Sequence, residues 1–191
     1  MLDTVEIVES KRVFEVGQKF SFRPGVNLLV GDQGTGKSTL LGGIMGHQKE
    51  KWLECEVSGP TDVRWMDFEH TPRTADSLPR EASKYMPALV SRFASHGEFV
   101  LALLRSATNV VSSDVDTLFM MDEPDMALSP RSAGKLVAIF RELCTPGVQV
   151  LAAVHNPIVI AAFDPVLDLE LGTWVSGQDY LDRCLEVSDG C

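Results

Sequence analysis

Cysteine is scarce and scattered. Cys55, Cys144, Cys184 and Cys191 form no Cys-x-x-Cys pair, so neither a zinc ribbon nor a disulfide framework organises the chain, and buried or incidental thiols are expected. No apolar run approaches the length that crosses a bilayer, which argues against direct membrane insertion. The first residues, Met1-Leu2-Asp3-Thr4-Val5-Glu6, lack the basic region and apolar stretch of a signal peptide, so a cytoplasmic location is expected. Positive charge is in short supply: 17 Lys and Arg against 27 Asp and Glu leave a formal charge of −10. That balance opposes non-specific adhesion to nucleic-acid phosphates, and DNA contact would then need a local basic patch or a partner. Internal repeats and heptad runs are missing, and no Asn-Lys-x-Asp sequence marks a guanine-specific switch protein. What remains is an ordinary globular mixture, 45% hydrophobic and 23% charged over 191 residues. One domain spanning residues 1–191, with a substantial core, is expected.

Within that mixture, Gly31-Asp32-Gln33-Gly34-Thr35-Gly36-Lys37-Ser38 is a complete phosphate-binding P-loop. It follows the apolar run Val26 to Val30 and leads into Thr39-Leu40-Leu41, the strand-to-helix context that the chemistry demands. Glycines let the backbone curl until several N–H groups point inward, and the helix N-terminus adds its dipole. Residues Gly31 to Ser38, with Thr39, are therefore the expected phosphate cradle of a nucleoside triphosphate. Lys37 supplies a point charge to the phosphates, and the Ser38 hydroxyl a ligand for Mg²⁺.

Strand patterns crowd the first thirty residues at Val13 to Val16, Phe20 to Phe22 and Val26 to Val30, joined by turns at Gly17 and Pro24-Gly25. Cys55 to Val57 and Val63 to Met66 are further candidates, and the polar, proline-bearing stretch Glu69 to Lys84 reads as loop leading into a small helical segment. From Gly97, apolar Val100, Leu103, Leu104 and Ala107 recur at helical spacing. Leu118 to Met121 is fully apolar, as in a buried parallel strand, and Val148 to Val154 reads as another buried strand. Ser129-Pro130 and Asn156-Pro157 are helix starts, with the polar residue as N-cap and proline at the first helical position. Val166 to Leu171 and Trp174-Val175 suggest a terminal hairpin about Gly172-Thr173. Strands alternating with helices predict an α/β fold with a layered sheet.

Asp122 and Glu123 close the strand at Leu118 to Met121, at the carboxyl edge where open α/β sheets bind ligands. Two adjacent carboxylates suit two jobs. Asp122 would hold Mg²⁺ beside Ser38, and Glu123 would polarise a water for attack on the γ-phosphate. His155 closes Val148 to Val154 at the same edge, able to donate to the γ-phosphate or orient that water.

The order of these motifs resembles the ABC-type ATPases, the P-loop branch that includes transporter engines and the heads of SMC, Rad50 and RecF-like DNA-maintenance proteins. The likeness rests on the P-loop, a signature-like Ser95-His96-Gly97-Glu98, the Walker B stretch Leu118 to Glu123 with Pro124, a D-loop-like Asp125 to Ser129, and His155 as switch histidine. It runs from about Val5 to Trp174, with a short helical signature subregion at about 70–108. The family signature reads Leu-Ser-Gly-Gly-Gln, so His96 stands for a glycine and Glu98 for the glutamine. The same four residues also form a plain capping box, and both roles are compatible with a helix start that offers Ser95 and the Gly97 amide to a γ-phosphate. No glutamine occupies the Q-loop region Met66 to His70, which leaves Asp67 or Glu69 near the metal.

The resemblance implies a mixed sheet with flanking helices and a short helical lid. It also implies ATP and Mg²⁺ as cofactors, and a homodimer formed on ATP binding, in which Ser95, His96, Gly97 and Glu98 complete the partner's site. ATP hydrolysis in DNA maintenance, defence or a phage- or plasmid-related process is expected, with DNA or another protein as the party that reads the nucleotide state. The ATP-binding subunit of a membrane transporter is the alternative. A P-loop small-molecule kinase fits less well, since it needs neither Glu123-Pro124 nor a signature segment. The short stretch from Glu69 to Ser95 leaves little room for a transporter's helical subdomain and none for a long coiled-coil insertion.

Overall fold

A computed structural model of the chain describes residues 1–10, 13–46, 53–59, 62–67, 96–108 and 116–188. Nine strands are present among them: β1 (Thr4–Ser10), β2 (Lys19–Ser21), β3 (Gly25–Val30), β4 (Leu53–Ser58), β5 (Asp62–Asp67), β6 (Thr117–Asp122), β7 (Val148–Ala153), β8 (Val166–Asp168) and β9 (Thr173–Val175). The helices are α1 (Lys37–Met45), α2 (His96–Thr108), α3 (Pro130–Leu143), α4 (Pro157–Ala161) and α5 (Gly177–Ser188).

Six strands form the central sheet in the order β5-β6-β7-β3-β8-β9, parallel except for the β8–β9 hairpin. β6 and β7 are buried along their whole length, as their largely apolar sequences require of strands covered on both faces. Alternate side chains then serve two cores. Phe119, Met121, Val150 and Ala152 face the helices, with Leu104 of α2, Phe140 of α3, Ile160 of α4 and Tyr180 of α5. Leu118, Met120, Leu151 and Ala153 face the other way, onto Leu40 and Leu41 of α1 and onto Val5, Ile7 and Phe20. Those last residues belong to a separate antiparallel sheet, β2-β1-β4. Gln149, buried on β7, ties this layer down: its amide donates to the carbonyls of Leu2 (3.0 Å) and Arg23 (2.7 Å), and its oxygen accepts from Leu2 N–H (2.7 Å).

The mixed α/β architecture thus agrees with the expected fold class. One expected strand is corrected. Val13 to Val16 is the turn that joins β1 to β2, closed by Gln18 N–H to Glu15 O (3.1 Å) and by Gly17 N–H to Ile7 O (2.7 Å), with Gly17 at φ 87°. The strand lies earlier, at Thr4–Ser10, where Val5 and Ile7 point inward. α5 has no counterpart among the expectations. The loop expected at Glu69 to Lys84, and most of the subregion at 70–108, lie outside the described residues.

Candidate functional site

β3 lies beside β7, and β7 beside β6, all parallel, so their carboxyl ends open on one edge. Leu29 pairs with Ala153 and Ala153 with Asp122, which brings the residues just past each strand together: Gly31, His155 and Glu123. The P-loop forms as a tight backbone curl, with Gly31 at φ 139°, Gly34 at φ 83° and Gly36 at φ 95°, values that side-chain-bearing residues rarely adopt. Space reinforces conformation at two of them. A Cβ on Gly31 would stand 2.7 Å from Thr35 Oγ1, and one on Gly36 would stand 2.7 Å from the Phe14 ring.

Phe14 is therefore a wall of the P-loop, buried edge-on against Phe20 (centroids 5.6 Å), and presents no open face on which an adenine ring could stack. Lys37, only 6% exposed, turns its ammonium onto the loop and donates to Gly31 O (2.8 Å) and Asp32 O (2.9 Å). Burial pushes its pKa below the ordinary 10.5, while the carboxylates of Glu123, Asp32, Asp122 and Glu170 partly offset that shift. Gln33 N–H is bonded to the Asp32 carboxylate (2.7 Å) and Thr35 Oγ1 to Asp32 O (2.9 Å). Ser38 is exposed at the start of α1, with Thr39 half-buried beside it.

Asp122 is buried at the last position of β6. Glu123 follows in a left-handed conformation, φ 51°, and its N–H donates to Ala153 O (3.1 Å). That turn brings its carboxylate to 3.3 Å from His155 Nε2, both side chains partly exposed to the open edge. Asp125 then reaches across to β7, where its carboxylate accepts the N–H groups of His155 (2.7 Å) and Asn156 (2.5 Å). Asp67 ends β5 and pairs in register with Asp122, so it stands at the same edge; Glu69 lies outside the described residues.

The signature-like segment is described only from His96 onward. Gly97 and Glu98 begin α2, Gly97 buried and Glu98 exposed, and a Cβ on Gly97 would stand 2.7 Å from Leu128 Cδ2 in the turn after Glu123. Ser95 lies outside the described residues.

Two contacts to the P-loop have no local signal in the sequence. Glu170, just past β8, accepts the Asp32 N–H (2.7 Å), and the Tyr180 hydroxyl on α5 accepts the Gly31 N–H (3.2 Å). Buried Asp168 anchors this segment by pairing with Arg183 and by accepting Glu170 N–H (2.9 Å). Burial, and then a hydrogen bond with Cys184, raise the pKa of the Tyr180 hydroxyl, so it is held neutral. Cys55 and Cys144 are free and half-buried, which pushes both thiols up to about 11 and leaves them inert.

A nucleotide-free ATP-binding cassette from an ABC transporter superposes over 97% of this chain and 96% of its own, with a TM-score of 0.66 at 18% identity. The SMC head domain from Thermotoga maritima does so over 92% and 96%, with a TM-score of 0.59 at 16% identity. The chain has the ABC-type ATPase fold. In sequence, UvrABC system protein A from Aquifex aeolicus (strain VF5) is 32% identical over 74 residues, 39% of this chain and 8% of that protein. UvrABC system protein A from Deinococcus radiodurans is 28% identical over 78 residues, 41% and 8%. The chain thus matches only a small part of the length of these curated relatives, and no family model matches it. On the ABC-type fold, Gly31, Asp122, Glu123 and His155 all meet at one sheet edge. Among the described residues no helix is long and apolar enough to cross a membrane.

Proposed function

We propose that this ABC-type protein binds ATP and Mg²⁺ and hydrolyses ATP to ADP and phosphate at a site completed by a second copy of the chain. The observation that carries this reading is the Glu123–His155 pair, 3.3 Å apart, at the strand ends beside the P-loop. Phosphate oxygens take over the ammonium of Lys37 from the carbonyls of Gly31 and Asp32 and draw on backbone N–H groups of Gly34 to Thr39, that of Thr35 being released from Asp32 O (3.3 Å). Glu123 accepts a proton from water as the water oxygen bonds to the γ-phosphorus and the bond to the β–γ bridging oxygen breaks. His155 meets Glu123 through Nε2 and in this reading either orients the attacking water with Glu123 or turns that N–H to the transferring phosphoryl group. The Ser38 hydroxyl and the Asp122 carboxylate are hard oxygen donors, the kind Mg²⁺ selects, with Asp67, whose backbone ends β5 at that edge, or Glu69 as a further acid. When bound, Mg²⁺ neutralises phosphate charge.

In this reading Ser95, His96, Gly97 and Glu98 serve the site of the facing subunit, so ATP acts as a clamp between two copies in a single-domain chain. A linked process in DNA maintenance or defence is supported by the likeness in fold to an SMC head. The higher TM-score to a transporter cassette supports a second reading, the ATP-binding subunit of a membrane transporter. DNA that stimulates ATP turnover favours the first, and indifference to DNA favours the second or a protein partner. The decisive test of the chemistry is Glu123→Gln, expected to keep ATP binding while turnover falls by about 10²- to 10⁴-fold, the usual worth of a general base. Unchanged turnover assigns the base to another residue.

A further inference from the structure

β6 ends at Asp122, paired with Ala153, so the chain beyond β7 leaves the parallel ladder at His155 and Asn156. Their N–H groups need another acceptor. One buried residue supplies it. Asp125, 5% exposed, accepts both N–H groups through Oδ2, at 2.7 Å from His155 and 2.5 Å from Asn156, while its Oδ1 is buried with no hydrogen-bond partner among the described residues. Leaving those two amides unpaired away from water would be unfavourable, so the acceptor at Asp125 holds this stretch of backbone in place. The turn that carries it is wound through two left-handed residues without glycine, Glu123 at φ 51° and Ala127 at φ 57°. On the other side, Asn156 caps α4 by accepting Ile158 N–H (3.0 Å), which fixes the backbone beyond His155.

We propose that Asp125 is a positioning residue: by clamping the backbone of His155 to the turn that holds Glu123, it sets the imidazole against the Glu123 carboxylate. The clamp and the Glu123–His155 contact together close a loop of short links, from Glu123 along the chain to Asp125, across to His155 N–H, and back through Nε2 to Glu123 Oε1. The clamp fixes the backbones from which both side chains of the pair extend. The inference rests on the ATPase reading above.

The test uses the full chain with saturating ATP and Mg²⁺. Asp125→Ala is expected to lower kcat by at least about tenfold, the scale on which misplaced groups cost rate. ATP affinity, read with a fluorescent analogue, changes by less than about threefold, the signature of a loss confined to the transition state. Asp125→Asn keeps a carbonyl oxygen for both amides and restores kcat to within about threefold of wild type. In a His155→Ala background, Asp125→Ala costs less than about twofold more, because its effect runs through that histidine. Full turnover in Asp125→Ala, failure of Asn to rescue, or an undiminished loss without His155 overturns the proposal. Should Asp125→Ala not fold, hydrogen exchange on the wild-type chain decides: the His155 and Asn156 amides are expected to be protected, and free exchange overturns the clamp. A wild type without ATP turnover removes the ATPase reading itself; normal wild-type turnover matched by Asp125→Ala removes the clamp alone.

Discussion

Lys37 is buried beside four carboxylates and donates only to carbonyls of its own loop. Desolvation wins over attraction, so its folded pKa lies below 10.5, and the chain gains stability as pH rises through the interval between the folded and unfolded values. Phosphates add negative charge at that ammonium and move its pKa back up. ATP binding at alkaline pH, once part of the Lys37 population is neutral, should therefore take up protons, with affinity falling as pH rises further. Calorimetry in buffers of different ionisation heat reads this directly, and buffer-independent heats count against it. The residues of this loop were legible in the sequence because their requirement is local: left-handed backbone at Gly34 and Gly36 admits few alternatives. Phe14 was not, since an aromatic becomes a stacking platform or a wall according to what covers it. Here the covers are Gly36 and Phe20, six or more positions away.

Elements followed the sequence where periodicity and punctuation agree. β6 and β7 are largely apolar, and α3 begins at Pro130 after Ser129, whose side chain accepts Ser132 N–H (3.3 Å). Ser129→Ala removes that cap and should cost about 1 kcal/mol, or a fall of roughly 2–4 °C in Tm for a chain of this size. Thermal unfolding followed by circular dichroism measures it, and an unchanged Tm assigns the helix start to Pro130 alone. Reading was harder where apolar residues lie in a turn. Val13 and Val16 are 46% and 68% exposed, and their alternation imitates a strand that Gly17 forbids. α5 escaped notice because its reason for being there is distant. Tyr180 meets Gly31 and Arg183 meets Asp168, contacts that no window of ten residues contains.

On the proposed reading, a site assembled from one chain's P-loop and another's signature segment would make association part of the chemistry. Light scattering should show the mass doubling with ATP and Mg²⁺, most completely in Glu123→Gln, where hydrolysis cannot reopen the clamp; a monomer at saturating nucleotide removes the composite site. The sequence alone carried the order of motifs to the right fold. It could not reveal which surfaces those motifs share, because strand order in the sheet differs from strand order in the chain. That permutation also governs timing. The strand that leads into the P-loop is flanked by β7 on one side and β8 on the other, so the motif is synthesised early and its neighbours roughly 130 residues later. At ribosomal speeds that is a wait of about 6 to 26 s. Through that interval the phosphate-binding sequence exists without its flanking strands, and on the proposed reading the nascent chain has no formed cradle for ATP until β7 and β8 have emerged.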